Sequence, residues 1–307
     1  MSEETGITVR PATEGDWPER VAWLAWPLFA VVLALAVAGL VFAYLSRGFH
    51  PPSNWGTGTI LGILALTVPF VCSAAVGAFL ASRMPRNLIG WLLILVGFGF
   101  AATAAGDGYG FYGVVVREPD LPGAVVASWL ELWGWIFSIG IPLGFIPMLF
   151  PEGRVTRRTA PFLAVALLTL ALTVVGSMLQ VYPLSSLDRP NPFGLERFKT
   201  LMDVLAELFF VFIPLGVIGV VRLARRMRRS SGDERQQIKW FLLGVAIPVI
   251  GISAAGLSTG IAAPSDQALS PFWAKVTQDV GTFMFIAVPI ATGVAVLKYR
   301  LYDIDLV

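Results

Sequence analysis

Cysteine and histidine are almost absent from this sequence of 307 residues, which contains one of each. Cys72 therefore has no partner for a disulfide within the chain, and His50 alone cannot supply the cluster of ligands that a zinc site needs. A phosphoacceptor histidine within a helix, a glycine-rich nucleotide loop and an asparagine-rich ATP-binding pattern are also missing. The sequence carries no catalytic motif, so it leaves open whether the chain is an enzyme, and it predicts no cofactor and no metal ion.

Charge is scarce as well. Only 14% of the residues are charged, whereas 56% are hydrophobic and the mean hydropathy is +0.75. A water-soluble domain of this length would not bury that much apolar surface, so lipid must surround most of the chain. The net charge of +2 says little, because membrane proteins sort charge by side. The composition predicts an integral membrane protein with membrane lipid as a partner and no nucleic acid.

Apolar runs of roughly the 20 residues that cross a bilayer as a helix recur along the chain. They predict eight spans, at residues 21–45, 57–81, 88–107, 125–150, 161–181, 203–223, 239–262 and 278–297. The third is the weakest because its end is rich in glycine, and a seven-span arrangement stays open. The expected fold is an all-α, polytopic transmembrane helical bundle at 21–297, with an acidic tail at 1–20 and a juxtamembrane segment at 298–307. Because acidic residues precede the first run, it is expected to be an uncleaved anchor.

Lysines and arginines are distributed unequally between alternate loops. Sixteen of the 22 fall on the side that contains both termini, and six fall on the other side. Positive residues are retained on the cytoplasmic side of a membrane. Both termini are therefore predicted to be cytoplasmic, in a plasma (inner) membrane of a bacterium.

Four short polar motifs lie at the predicted cytoplasmic ends of the spans. RMPRNLIGW (83–91) leads into span 3, LFPEGR (149–154) closes span 4, ERQQIKW (234–240) opens span 7 and KYRLYDID (298–305) follows span 8. Anchoring at the headgroups accounts for the basic and aromatic residues, but anionic lipid does not attract the acids among them. The motifs are therefore interpreted as a surface that couples to a partner. Its assigned residues are Arg83, Pro85, Asn87, Trp91, Pro151, Glu152, Arg154, Glu234, Arg235, Gln236, Trp240, Arg300, Tyr302 and Asp303.

Acidic side chains within the predicted spans all lie towards the outer ends. Such a group costs roughly 2.5 to 3.5 kcal/mol in hydrocarbon, which makes each one a candidate for function. One interpretation is an outward-open acidic pocket with an aromatic rim, and the alternative is a set of solvated acids at the interface. The ligand-binding candidates are Glu131, Glu207, Asp107, Asp279, Trp129 and Trp133, and Asp203 and Trp135 belong to the same outer region. None of the acids lies at the midplane, where ion-coupled transporters usually hold their carboxylates.

Five motifs occur in order from span 2 to Val307: RMPRNLIGW, LFPEGR, NPFG (191–194), ERQQIKW and KYRLYDIDLV. Together they resemble the N-terminal multi-pass membrane region of sensor histidine kinases, best known from actinobacteria. The resemblance implies a membrane input module that feeds a cytoplasmic dimerisation and ATP-binding core, and it implies a homodimer. In that family the YDID segment usually continues into further helices and the catalytic core, whereas this sequence ends at Val307.

Three classes of function remain open at this point. The preferred one is a sensory, signal-transducing module of the two-component type, which acts on a cytoplasmic signalling domain or protein such as a kinase core. The second is a transporter or permease for an uncharged or lipid substrate. The third is a structural subunit of a membrane complex.

Overall fold

The computed structural model describes residues 21–49, 57–184, 186–187, 189–262 and 271–300, with the backbone alone for 259–262 and 297–300. Within these residues, eight helical segments are long and apolar enough to cross a membrane. They are Ala22–Leu45, Ile60–Arg83, Leu88–Val116, Ala124–Leu149, Ala160–Leu179, Glu196–Arg229, Gly232–Ser258 and Phe272–Val296. These segments follow the predicted spans 1 to 8 in order, so the prediction of an all-α polytopic bundle is confirmed. The predicted tail 1–20 and residues 301–307 lie outside the described residues.

Some spans are continuous α-helices and others are interrupted. Spans 2, 5 and 7 are single α-helices, at Ile60–Arg83, Ala160–Leu179 and Gly232–Ala262. The other spans join α-helices to short 3-10 or π segments. Their α-helices are Ala25–Leu45 in span 1, Leu88–Phe111 in span 3, Ala124–Ser128, Gly134–Gly144 and Ile146–Leu149 in span 4, Lys199–Glu207 and Phe212–Arg229 in span 6, and Phe272–Phe283 and Ala287–Arg300 in span 8. A short antiparallel hairpin pairs Pro183–Leu184 with Arg189–Pro190 between spans 5 and 6.

The glycine-rich end of span 3 is helical because it packs closely against span 4. A Cβ on Gly106 would lie 2.9 Å from a methyl of Leu130, and one on Gly110 would lie 2.7 Å from the carbonyl oxygen of Ala124. Glycine at these positions lets the two helices approach backbone to backbone. Span 3 is therefore long and apolar enough to cross a membrane, and it is one of eight such segments among the described residues.

Large apolar side chains cover the outside of the bundle. Leu61 is 77% exposed, and Ile250 and Leu257 are each 67% exposed. Water would penalise this much exposed apolar surface, but lipid tails solvate it as well as another side chain does. The surface therefore matches the composition, and the chain is a multi-pass membrane protein.

Contacts between loops define two ends of the bundle. At the end that we call the basic end (residues 83–87, 150–159 and 222–240), the amide of Leu88 donates to the carbonyl of Gly153 at 2.9 Å. At the other, which we call the opposite end (residues 107–133, 178–207 and 272–279), the Trp129 indole donates to the carbonyl of Met178 at 2.9 Å. The spans therefore alternate in direction between the two ends.

Spans 4 and 6 pack along a line of close contacts that runs between the two ends. The fully buried ring of Phe212 lies in a notch between Gly140 and Gly144, where a Cβ on Gly144 would approach the ring to 2.7 Å. Further along, a Cβ on Gly219 would lie 2.7 Å from Pro147, and the Arg222 guanidinium donates to the carbonyl of Met148 at 2.9 Å. We call these contacts, Phe212 to Gly140 and Gly144, Gly219 to Pro147, and Arg222 to Met148, the 4–6 seam.

Candidate functional site

A cavity of about 380 Å³ lies between spans 4, 5 and 6 at the opposite end. Three carboxylates face it, and hydroxyl, amide and aromatic side chains complete its wall. We call it the carboxylate cavity, lined by Glu131, Leu132, Trp135, Thr173, Ser177, Gln180, Tyr182, Asp203, Ala206, Glu207, Phe209 and Phe210. Its volume falls within the range of small-molecule sites, about 300 to 1,000 Å³.

Helical spacing brings these polar groups together. Thr173 and Ser177 are four residues apart on the helix of span 5, so both face the cavity. Asp203 and Glu207 have the same spacing on the helix Lys199–Glu207 of span 6. Glu131 comes from a 3-10 segment, Trp129–Leu132, in span 4. Each of the three spans therefore contributes polar groups to the lining of the cavity.

Two polar atoms in the wall have no partner among the described residues. Thr173 is 1% exposed, and its hydroxyl makes no hydrogen bond among the described residues. Asp203 Oδ1 is also buried and also has no hydrogen-bond partner among them. Glu131 differs, because the Ser186 hydroxyl donates to its Oε2 at 3.4 Å. A buried polar atom without a partner costs about 1 to 3 kcal/mol. The wall of the cavity therefore contains two buried polar atoms whose hydrogen-bonding capacity is not used by the described residues.

The lining favours a positively charged ligand. Three carboxylates line the cavity, and each of them attracts a cation that enters it. Trp135 and Phe209 form an edge-to-face pair with ring centroids 4.8 Å apart beside the carboxylates. Aromatic faces attract ammonium and guanidinium groups by cation–π interaction, worth about 0.5 to 2 kcal/mol. The cavity therefore has the chemistry to hold an amine or quaternary ammonium that carries an apolar group.

The remaining predicted pocket residues do not line the cavity. Trp129 and Trp133 pack edge to face with ring centroids 5.4 Å apart and support the wall of span 4. Asp107 lies on span 3, where its Oδ1 is buried without a partner among the described residues. Asp279 on span 8 accepts hydrogen bonds from the amide and hydroxyl of Thr57, at 3.1 and 2.6 Å, and holds span 8 against the start of span 2. The structure thus brings Glu131 and Glu207 together and leaves Asp107 and Asp279 apart.

At the basic end, one arginine joins the ends of three spans. The Arg226 guanidinium of span 6 donates to both oxygens of Glu152, at 2.5 and 3.2 Å, and its Nε donates to Glu234 at 2.5 Å. Glu152 follows span 4, and Glu234 lies in the first turn of span 7. We call these three residues the ionic cluster. Because the three side chains are partly exposed, each pair stabilises the fold by no more than about 1 kcal/mol.

The charge of Glu152 is well defined. Burial raises the pKa of this carboxyl, but the hydrogen bonds and the positive charge of Arg226 outweigh burial, so the pKa lies below its ordinary value. Arg222 contributes to the same lowering of the pKa. Glu152 is therefore ionised at neutral pH, and the contacts of the ionic cluster are charge-assisted hydrogen bonds.

The loop that precedes span 3 is fixed against the loop that follows span 4. The Asn87 side chain accepts a hydrogen bond from the amide of Ile89 at 2.9 Å and caps the helix of span 3. Gly153, whose φ is +69°, packs directly on the side-chain amide of Asn87. The Trp91 indole donates to the carbonyl of Pro85 at 3.0 Å. The motifs RMPRNLIGW and LFPEGR are thus parts of one assembly.

The structure separates the other predicted coupling residues into two groups. Arg83, Arg154, Arg235, Gln236 and Trp240 are exposed, whereas Pro151 is buried. The side chain of Arg300, together with Tyr302 and Asp303, lies outside the described residues.

Several residues at these sites were not predicted as functional. Arg226 is one of five arginines between 222 and 229, and only its contacts distinguish it from the others. Thr173, Ser177 and Gln180 are uncharged residues of an apolar span, so composition gave no sign of their role. The four-residue spacing of Asp203 and Glu207 was the available signal for Asp203.

No family model, no curated protein and no solved structure matches this chain. The two candidate sites therefore rest on the geometry of the chain itself, and the resemblance to sensor histidine kinases stays an expectation.

Proposed function

We propose that this chain is a sensory, signal-transducing membrane module in which a cationic ligand at the carboxylate cavity changes the arrangement of the ionic cluster. One observation carries the proposal: spans 4 and 6 bear both sites. Span 4 supplies Glu131 at one end and leads to Glu152 at the other, while span 6 supplies Glu207 and Arg226. The 4–6 seam joins the two sites.

The mechanism follows from charge and packing. Without a ligand, Glu131 of span 4 and the two carboxylates of span 6 repel each other, and a cation between them draws the spans together. A ligand shifts the equilibrium between two arrangements only if it binds one packing better than the other. A cation between the carboxylates binds better to the packing in which spans 4 and 6 lie closer together. Because the seam is closely packed, a displacement at the cavity changes the distance between Glu152 and Arg226 instead of being absorbed.

Both spans depart from regular α-helix, span 6 beside the cavity and span 4 along the 4–6 seam. Span 4 changes helix at Phe145, between Gly134–Gly144 and Ile146–Leu149, and span 6 has a 3-10 segment at Leu208–Val211. Mid-helix 3-10 segments often mark functional hinges. These interruptions support a module with two arrangements of spans 4 and 6.

The proposal places the basic end in the cytoplasm of a bacterial cell, with the chain in the plasma (inner) membrane and the carboxylate cavity facing outwards. The excess of lysine and arginine at this end supports that orientation. A cytoplasmic signalling domain or protein, such as a kinase core, would dock on the exposed residues Arg235, Gln236 and Trp240 beside the ionic cluster. The chain would act as a homodimer, as the resembling kinases generally do.

The orientation can be tested by labelling single cysteines in a Cys72→Ser background. We expect a cysteine at Arg157 to react with an impermeant maleimide only from the cytoplasmic side, and a cysteine at Pro190 only from the outer side. Both positions are exposed, and they lie at the two different ends of the bundle. Labelling of intact cells against inverted membrane vesicles makes the measurement, and the reverse pattern would refute the orientation.

Coupling between the sites can be tested by measuring a distance at the basic end. Spin labels at Arg157→Cys and Arg228→Cys, both exposed, report the separation between the loop that joins spans 4 and 5 and the end of span 6 in the Cys72→Ser protein. We expect benzyltrimethylammonium to shift that distance by about 2 Å, the size of typical helix shifts in signalling. Arg226→Ala should still bind the cation but show no defined shift, because the ionic cluster is broken.

The controls separate sensing from the other classes of function. Asp203→Asn combined with Glu207→Gln should abolish both binding and the shift, whereas Asp120→Asn, an exposed carboxylate outside the cavity, should change neither. Binding without any change in distance would contradict the sensory proposal. Accumulation of the cation in proteoliposomes would favour a permease instead.

A further inference from the structure

A second concave site lies at the basic end and is separate from the carboxylate cavity. This cleft, of about 380 Å³, is lined by Arg83, Arg86 and Arg154 around the side chains of Asn87 and Glu152. It lies where the loop before span 3 meets the loop after span 4. Two motifs of the sequence, RMPRNLIGW and LFPEGR, therefore supply its lining.

The buried amide of Asn87 lacks a partner for its hydrogen-bond donors. Asn87 is 3% exposed, and its Nδ2 makes no hydrogen bond among the described residues. The assignment of nitrogen and oxygen in this amide is fixed, because the other atom accepts from the Ile89 amide and must be the oxygen. Nδ2 is therefore a buried donor beside the cleft that no acceptor among the described residues satisfies.

The charge of the cleft favours an anion. Three guanidinium groups line it against one carboxylate, and Arg226 already neutralises that carboxylate with two hydrogen bonds. Guanidinium groups present paired N–H donors that match the oxygens of a phosphoryl group. A carboxylate presents its two acceptor oxygens in one plane, whereas the tetrahedral phosphoryl group of a monoester or diester can accept from donors on several sides, here guanidinium groups and the Asn87 amide.

We propose that this cleft binds the phosphoryl group of a phosphate ester, held by Arg83, Arg154 and the side-chain amide of Asn87. Two sources present the same chemistry. One is the headgroup of an anionic phospholipid in the adjoining leaflet, and the other is a soluble phosphate compound. This site does not depend on ligand binding at the carboxylate cavity.

The decisive variant is Asn87→Asp, tested in the purified full-length chain after removal of lipid in a non-ionic detergent. Aspartate keeps the oxygen that caps the helix of span 3, but it replaces the N–H donors with a negative charge. Arg154→Gln removes one guanidinium from the cleft, and Arg157→Gln is the matched control, because it removes one from the same loop outside the cleft. Thermal unfolding of each variant shows that the fold is kept.

Two probes distinguish the sources of the phosphoryl group. Native mass spectrometry measures retention of phosphatidylglycerol against phosphatidylcholine, and calorimetry measures binding of inorganic phosphate. We expect the wild-type chain to bind at least one anionic probe, Asn87→Asp and Arg154→Gln to weaken it about ten-fold or more, and Arg157→Gln to bind as the wild type does. Preference for phosphatidylglycerol alone identifies a lipid headgroup, and binding of inorganic phosphate identifies a soluble ligand. Equal binding by wild type and Asn87→Asp, or binding of neither probe, would overturn the proposal.

Discussion

Replacing Phe212 with alanine is expected to destabilise the bundle by about 3 kcal/mol, as large-to-small changes of a buried phenylalanine do. The ring is fully buried in the notch of Gly140 and Gly144 and also packs with Ala166 and Leu170 of span 5. The value lies at the lower end of the range for soluble proteins, because lipid solvates an apolar side chain as well as the core does and little transfer free energy is lost. The loss is therefore mainly one of van der Waals contact among spans 4, 5 and 6.

Thermal or denaturant-induced unfolding in detergent measures this change. Phe98→Ala is the matched control, because Phe98 is 41% exposed on span 3, so its loss should cost about 1 kcal/mol or less. If the two variants were equally stable, Phe212 would not hold the seam together, and the route proposed between the two sites would lose its central contact.

The second large effect is expected at Gly153, where alanine should destabilise the basic end by about 2 to 3 kcal/mol. A left-handed backbone, here with φ of +69°, costs a non-glycine residue about 1 to 2 kcal/mol. In addition, a Cβ would overlap the Asn87 side-chain oxygen and lie 2.8 Å from its nitrogen. Asn87 would have to move, and the helix of span 3 would lose its cap, which is worth about 1 kcal/mol.

Gly232→Ala separates the two causes of this loss. Gly232 also has a left-handed backbone, with φ of +57°, but no atom lies within 4 Å of the position of an added Cβ. Its substitution should therefore show the backbone cost alone, and Gly153→Ala should be the more destabilised of the two in the same unfolding experiment. Equal losses would mean that the contact with Asn87 contributes nothing.

The spans could be predicted from the sequence because the bilayer sets their length and composition. The ends of the spans could be predicted less accurately than their number and order. Span 6 extends from Glu196 to Arg229, beyond the predicted 203–223, and span 7 begins at Gly232 instead of 239. Hydropathy detects only the apolar part of a helix, whereas these helices continue through polar turns that carry Lys199, Arg226 and Glu234.

The sites were harder to predict, because sequence position gives the depth of a residue in the membrane but not the neighbour that it faces. Glu131 and Glu207 line one cavity, while Asp279, which lies towards the same end of the bundle, instead binds Thr57. Likewise, mixed charges at the span ends indicated a coupling surface, but the choice of Arg226 as partner of Glu152 depends on how spans 4 and 6 pack. The functional roles of both sites stay predictions.

The pairing of Thr57 with Asp279 has a consequence for how the chain is assembled during synthesis. The two residues are 222 positions apart, and the stacked rings of Phe70 and Phe285 lie between the same two spans. At about 5 to 20 residues per second, a ribosome needs about 10 to 40 seconds to make the intervening chain. Throughout that delay the surface of span 2 that later receives span 8 lacks this partner, so the wall that span 2 begins stays incomplete until the eighth span has been inserted.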